Sequence, residues 1–270
     1  MPTLRKVRHR LSKSPVRQPL VWARHRAFNP GDVFVGSYPR SGNTWLRFML
    51  FEILVGQSSF NDVNQLMPDV GKHAAAMSVL PNQGRLIKTH EPFRSEYKKA
   101  IYLVRDARDV VLSEFAYQKA LGLAKDNLED YLPRFLQGKV NPFGSWTAHV
   151  DSWIDAKEDG RAEIFLVRFD EMRRDPEASL AKMMDFLGMP VDWQVIHRAV
   201  TNNSVEKMRD KEKSQPQRAS AKGRFIRSGA VGGWRDKFTE AQIQLVQQYA
   251  GDTLNRLGYP GVEQLQEQLT

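Results

Sequence analysis

The sequence predicts an α/β fold: one domain with a mostly parallel central sheet flanked by helices and a P-loop-like binding loop. Short runs rich in Val, Ile, Leu and Phe alternate with longer stretches whose apolar residues recur at three- and four-residue spacing. The segment GSYPRSGNTWLRFML, Gly36 to Leu50, follows the apolar run VFV and leads into such a helical pattern. That is the layout of an anion-binding loop between a strand and a helix. A chain of 270 residues, 41% hydrophobic and 26% charged, is also long enough to bury one large core.

Taken from the N-terminus, residues 1–30 read as a flexible basic arm and residues 31–270 as the domain. Arg5, Lys6, Arg8, Arg10, Lys13, Arg17, Arg24 and Arg26 precede the first acid, Asp32, so most of the net charge of +9 sits in this arm and the body is nearly balanced. A balanced body is unlike a dedicated duplex-binding domain, and no nucleic-acid partner is expected. An arm of this kind is a solvated tail or touches phosphates or anionic lipid, which leaves a weak membrane-surface contact open. It is too broken by Arg and Pro for a secretory segment, although Arg-rich, acid-free N-termini also occur as organelle transit peptides. No run approaches the roughly 18 apolar residues that span a bilayer. The absence of cysteine removes disulfides, thiolate nucleophiles and Cys-ligated zinc, and it fits a cytoplasmic location.

The strand candidates are Asp32 to Ser37, Arg85 to Lys88, Ala100 to Arg105 and Glu163 to Arg168. Helices are expected at Thr44 to Val55, Asp109 to Leu121, Trp146 to Lys157, Pro176 to Leu187 and Glu240 to Leu257. Asp175 stands as a cap before the first-turn Pro176, and Gly188 stands where a helix stops. Lys211 to Gly229, polar and basic with Gly and Pro, reads as a long mobile loop that carries Lys222, Arg224 and Arg227.

The loop after the first strand carries the chemistry. Arg40, Ser41, Gly42, Asn43 and Thr44 supply a cation, a pliable backbone and side-chain donors beside the unpaired amides of a helix start. The spacing G-x-x-x-x-G-K-S/T of a Mg-nucleotide loop is missing, as is a clear strand-terminal Asp downstream. Taken alone, the loop also admits the lesser reading of an ordinary strand-to-helix turn.

Four segments in order resemble the sulfotransferases that use 3′-phosphoadenosine 5′-phosphosulfate (PAPS). YPRSGNTW, Tyr38 to Trp45, is similar to their 5′-phosphosulfate loop; IKTHEPF, Ile87 to Phe93, places Lys88 and His90 at a strand end. YLVRDARDVVLSEF, Tyr102 to Phe115, carries Arg105 and Ser113, which in that family bind the 3′-phosphate. RFIRSGAVGGWRDKFT, Arg224 to Thr239, is similar to the segment R-K-G-x-x-G-x-W-K that closes over the same phosphate, which implies Arg227, Ser228 and Gly229. The resemblance implies transfer of a sulfuryl group from PAPS to a hydroxyl or amine of a small-molecule, lipid or carbohydrate acceptor. Arg40 and Lys88 would sit at the transferring group, Arg40 to Trp45 would bind the cofactor, and Trp45 would stack on adenine. No metal is implied, because a sulfuryl group carries less charge than a terminal phosphoryl group and Lys, Arg and backbone donors suffice to steady its transfer.

His90 is the candidate general base, since a neutral imidazole accepts a proton near pH 7 and alternation places it on the same strand face as Lys88. His9, His25, His73, His149 and His197 lack such a context and read as structural or solvated. Three departures stand out: Arg40 where the family commonly has Lys, Phe169 where many cytosolic members have a Tyr, and Ser228 for a common Lys. Trp234 reads as a core anchor or a ligand contact. Phe60, Phe93, Phe115, Tyr117 and Phe143 line an acceptor pocket or fill the core. The competing readings are a P-loop-type kinase using Mg-ATP and a nucleic-acid or membrane-binding protein working through its basic arm. Oligomeric state is not written in any motif.

Overall fold

In the computed structural model, which describes residues 17–57, 59–214 and 229–261, a five-stranded sheet has the order β2-β3-β1-β4-β5. Its centre is β1, Val33–Gly36, parallel to β3, Gly84–Thr89, on one side and to β4, Lys99–Val104, on the other. Strand β5, Glu163–Arg168, extends the parallel set beyond β4, and the short β2, Ser78–Leu80, closes the opposite edge in antiparallel pairing with β3. The register sets Val35 opposite both Lys88 and Ile101, so the three central strands end close together. All four residues of β1 are buried, as expected of a parallel strand covered on both faces.

Successive side chains feed two cores. Phe34, Ala100, Tyr102 and Val104 point to one face, where they meet α4, Ala107–Ala120, α5, Leu128–Leu136, α6, Trp146–Glu158, and α11, Glu240–Arg256. Val33, Val35, Ile101 and Leu103 point to the other, against α2, Asn43–Leu54, α3, Phe60–Leu66, α8, Pro176–Leu187, and α9, Trp193–Asn202. On the first face Trp153 stacks on Tyr102 with ring centroids 4.7 Å apart and on Tyr97 at 5.4 Å.

The four expected strands and five expected helices all form, with ends shifted by a residue or two. Asp175 caps α8 through the Ala178 amide, Pro176 begins it, and Gly188 ends it at φ 70°. Elements that the sequence reading omitted are short: β2, α1 (Arg17–Arg24), α3, α5, α7 (Phe169–Arg174), α9 and α10 (Val205–Lys213). Several carry capping side chains, such as Ser59 for α3 and Asn127 for α5, that an apolar-spacing argument does not weigh. Two expectations shift. The N-terminal arm is helical over Arg17–Arg24 and sinks Val21 into the protein, and the start of the expected loop, Lys211 to Lys213, is the end of α10. The remainder of that arm through residue 16, and residues 215–228 of that loop, lie outside the described residues.

Asp32, immediately before β1, ties the starts of β1 and β3 together. Its carboxylate accepts from Arg85 Nε at 2.9 Å, from the Arg85 backbone amide at 3.1 Å and from the Asn29 amide at 2.7 Å. Both side chains are nearly inaccessible, and Arg85 also donates to the carbonyls of His73 and Ala27. Asp32→Ala leaves a buried guanidinium without its counter-charge and is expected to cost about 3–5 kcal/mol, read as a lower urea midpoint at unchanged slope.

Candidate active site

Strand β1 ends against an aromatic wall. A Cβ at Gly36 would stand 2.9 Å from the Trp153 indole, so only glycine lets the strand pass there. The chain then turns through residues 37–42, with Arg40 at φ 70° and Gly42 at φ 103°, before α2 begins. A Cβ on Gly42 would meet the Phe169 ring at 2.7 Å, which fixes glycine twice over at this point. Asn43 Nδ2 donates to the Val35 carbonyl at 3.0 Å and fastens the first turn of α2 to the strand. The first amides of α2 therefore face outward beyond the sheet. Beneath the loop, the buried Ser41 hydroxyl has no hydrogen-bond partner.

A cavity of about 650 Å³ opens in front of this turn, within the range of small-ligand sites. The structure brings most of the expected residues to its wall: Arg40, Gly42, Asn43, Thr44, Trp45, Lys88, His90, Arg105, Ser113 and Gly229. Ser41 lies buried just behind them, and Arg227 and Ser228 are outside the described residues.

The cations are held in place by neighbours. Arg105, at the end of β4, donates to the Arg40 carbonyl at 3.2 Å and the Ala230 carbonyl at 2.7 Å, and its guanidinium lies 4.6 Å from the Phe169 ring centroid. Arg40 Nε donates to the Ser113 hydroxyl at 3.3 Å while its guanidinium covers Tyr117. Lys88 Nζ is 2.8 Å from Asp69 Oδ1, and residues 68–70 run beside β3 there, with Lys88 N donating to the Pro68 carbonyl. Asp109, whose pKa is raised by burial, sits 4.0 Å from Arg105 and accepts from the Gly232 amide, linking the segment after residue 229 to α4.

His90 stands on the same wall as Lys88, as strand alternation requires. Its Nδ1–H donates to the Ser37 carbonyl at 2.8 Å, which leaves Nε2 as the ring's acceptor. Burial, reinforced by the Lys88 charge, pushes the imidazole down to about 3. His149 supports it from behind: Nε2–H donates to the His90 carbonyl at 3.0 Å and Nδ1 accepts from the Tyr102 hydroxyl at 3.0 Å. Burial lowers the His149 pKa to about 4.

The far half of the cavity is built by one face of α4 and by residues 141–143. Beyond Ser113, which stays with the cations, Tyr117 and Leu121 follow at four-residue steps, with Glu114 and Gln118 beside them and Gln118 Nε2 donating to Glu114 at 2.9 Å. That spacing was readable from Ser113 onward. Asn141, Pro142 and Phe143 come from a loop that no pattern marks, positioned by Asn141 Nδ2 donating to the Tyr38 hydroxyl at 2.8 Å. Of the five aromatics that stood between pocket and core, Tyr117 and Phe143 line the cavity, whereas Phe60, Phe93 and Phe115 pack into the core. Trp45, half-buried, donates to the Asn203 carbonyl at 2.9 Å and shares its end of the cavity with Phe169, Val205 and Met208. Trp234 is a core side chain under the Arg108 guanidinium, 4.0 Å from the ring centroid.

The family model described as Sulfotransferase domain matches residues 30–258. Sulfotransferase 1C2 of Homo sapiens is 27% identical over 82% of this chain and 83% of its own. Sulfotransferase 2B1 of Rattus norvegicus is 30% identical over 84% and 72%. The crystal structure of retinol dehydratase in complex with androsterone and inactive cofactor PAP superposes with a TM-score of 0.70 at 23% identity, covering 84% of this chain and 82% of that one, a likeness of fold.

The two neutral histidines have a consequence for stability. Each unfolds to an ordinary value of 6.5 from a folded value of about 3 or 4, so below pH 6.5 the unfolded chain binds protons that the folded chain refuses. Their contribution is full above that pH and is lost as pH falls, at up to about 1.4 kcal/mol per pH unit for each ring. Urea midpoints taken down an acid series are expected to decline with this slope in wild type and with a shallower slope in His149→Gln.

Proposed function

The chain belongs to the sulfotransferase family, and from that membership we propose that it moves a sulfuryl group from PAPS to a hydroxyl of a small-molecule acceptor, with His90 as the base. The observation that carries this reading is the pairing of a neutral, oriented His90 with Lys88 on one wall, beside the left-handed loop at the end of β1.

The donor end fits a nucleotide bisphosphate. The buried Ser41 hydroxyl has no protein partner, the first residues of α2 line the cavity, and Arg40, Lys88 and Arg105 supply positive charge around it. When bound, PAPS supplies the activated sulfuryl group and departs as the 3′,5′-bisphosphate. Arg40, Ser41, Gly42, Asn43 and Thr44 would hold its 5′ end through amides and side-chain donors. Lys88 would face the bridge between phosphate and sulfur, where leaving-group charge develops. Arg105 and Ser113 would hold the 3′-phosphate, joined by Arg227, Ser228 and Gly229. The apolar end formed by Trp45, Phe169, Val205 and Met208 suits the adenine ring. Phe169 there supplies packing and, unlike a Tyr, no hydroxyl.

The acceptor end is the half lined by Tyr117, Leu121, Leu123 and Phe143, close to His90, whose ring centroid is 5.9 Å from that of Phe143. The androsterone held by retinol dehydratase supports a small apolar alcohol as the kind of acceptor. His90 Nε2 takes the hydroxyl proton while Ser37 fixes the tautomer. In the free protein burial, and after it the Lys88 charge, depress this imidazole. A polyanionic donor beside Lys88 offsets that charge, which raises the base toward the range where proton transfer is efficient.

A thermal-shift panel with adenosine 3′,5′-bisphosphate, ADP and Mg-ATP tests the donor assignment. The bisphosphate should raise Tm most, by a few degrees at about a hundred times its Kd, with EDTA without effect. Arg105→Ala should erase its advantage over ADP, since a charge-assisted bond contributes about 1.5–3 kcal/mol. A larger shift from Mg-ATP would sink the assignment.

For the base, His90→Ala should lower sulfuryl transfer by roughly a hundredfold or more while leaving bisphosphate affinity near wild type. NMR titration of the imidazole should show its pKa rising when the bisphosphate is added. Near-wild-type transfer by His90→Ala would remove the base from the mechanism and leave donor binding standing.

A further inference from the structure

Helix α1 is built inside out for a surface helix. Among its described side chains only Val21 is buried, while Pro19, Leu20, Trp22 and Ala23 face solvent, with Leu20 54% and Trp22 60% exposed. Surface helices ordinarily turn a polar face outward, so an outer face made of Pro, Leu, Trp and Ala marks a contact. Its rim is basic. Arg24 lays its stem over Gly71, Arg26 places its guanidinium 3.6 Å from the Trp22 ring centroid, and Lys72 is exposed next to Gly71. The sequence before the helix carries Arg5, Lys6, Arg8, Arg10 and Lys13, and no acid precedes Asp32.

We propose that α1 docks the protein on an anionic phospholipid surface, with Leu20 and Trp22 entering the interface and the surrounding cations meeting the headgroups. The composition separates this occupant from others. Indole and leucine side chains beside arginines are the combination that settles at the boundary between headgroup and acyl chain. Each Lys or Arg brought near a negative leaflet adds to the attraction. A nucleic acid would use the arginines and stack on Trp22, but it has no use for Pro19, Leu20 and Ala23.

The position of α1 gives the docking a purpose. Arg17, at its first turn, pairs with Glu91, the residue after His90, and its guanidinium lies 5.4 Å from the ring centroid of Phe143. Phe143 and His90 both line the cavity. Docking through α1 therefore brings the acceptor side next to the lipid, where an amphiphilic alcohol resident in the leaflet has a short path to the base. This last step rests on the acceptor end proposed above; the docking itself does not.

The test floats the full-length protein with vesicles of phosphatidylcholine, with and without phosphatidylserine, at low and high salt. The adenosine 3′,5′-bisphosphate thermal shift is measured on the same preparations. Wild type should float only with the phosphatidylserine vesicles, and less at high salt. The double variant Leu20→Ser, Trp22→Ser should bind them at least about tenfold more weakly, since it removes two interfacial apolar groups, with its melting temperature and bisphosphate shift unchanged. The proposal is overturned if wild type does not float, if the double variant floats as well as wild type, or if single-stranded RNA is bound instead of vesicles. A missing bisphosphate shift in a protein that still floats would count against the donor reading alone.

Discussion

The site depends on one backbone constraint: the turn from β1 into α2 passes twice through the left-handed region, at Arg40 and at Gly42. A non-glycine residue held there costs on the order of 1–3 kcal/mol, and neighbours hold the turn in place. Phe169 closes the side of Gly42 where a Cβ would stand, Arg105 lies over that same ring, and Arg105 also donates to the Arg40 carbonyl. Two segments far apart in sequence are thus braced against a single turn. Because the turn follows the central strand, bonded to β3 and β4 on either side, the ends of those strands deliver Lys88, His90 and Arg105 to its flanks.

Charge is the second organising term. Arg40, Lys88 and Arg105 share one cavity wall, an unfavourable arrangement by itself in a partly buried setting. Asp69 offsets Lys88, and Asp109 faces Arg105 while holding the Gly232 amide. Burial raises the pKa of Asp109, so its carboxylate is held in place at the expense of solvation. An anionic ligand entering this wall would add to the compensation that the carboxylates give. Ligand binding and local order are therefore coupled through the same side chains, since Gly229 and Ala230 contact the cavity at the point where Arg105 bonds the Ala230 carbonyl.

How far the sequence was readable follows from which forces have a local signature. The parallel strands are continuous apolar runs buried on both faces, and α8 announces itself with Asp175, Pro176 and Gly188, so these were legible. The family resemblance of the ordered motifs pointed to Arg40, Lys88, His90, Arg105 and Ser113, and all five line one cavity. Helix α10 was lost inside a polar, basic stretch because its stability comes from the Ser204 cap and the buried Met208. Asp69 was invisible: its partner Lys88 is brought to it by a bridge beside β3 that leaves no spacing pattern. His149 read as structural, which fits its burial. That it carries the backbone of His90 is a tertiary fact, visible only once α6 is placed under the end of β3.

The two ends of the cavity differ in how tightly they are specified, and this explains why the donor was easier to read than the acceptor. At the donor end the determinants are backbone conformation and amides, which tolerate few residue types: glycine at 36 and 42, and an Asn43 that bonds the preceding strand. At the end proposed for the acceptor they are side chains at and just beyond the end of α4 and in a loop over residues 141–143, where Tyr117, Leu121, Leu123 and Phe143 line the cavity with no non-glycine residue at positive φ. Exchanging an apolar side chain at such a position reshapes the pocket at a typical cost under about 1.5 kcal/mol when volume is kept, and it leaves the β1 turn untouched. Acceptor choice can therefore change by ordinary substitution while donor chemistry stays fixed. On the proposed assignment the donor end rests on a constrained turn and on charged side chains held at strand ends, and the acceptor end on replaceable apolar side chains, so a motif reading reaches the first and stops before the second.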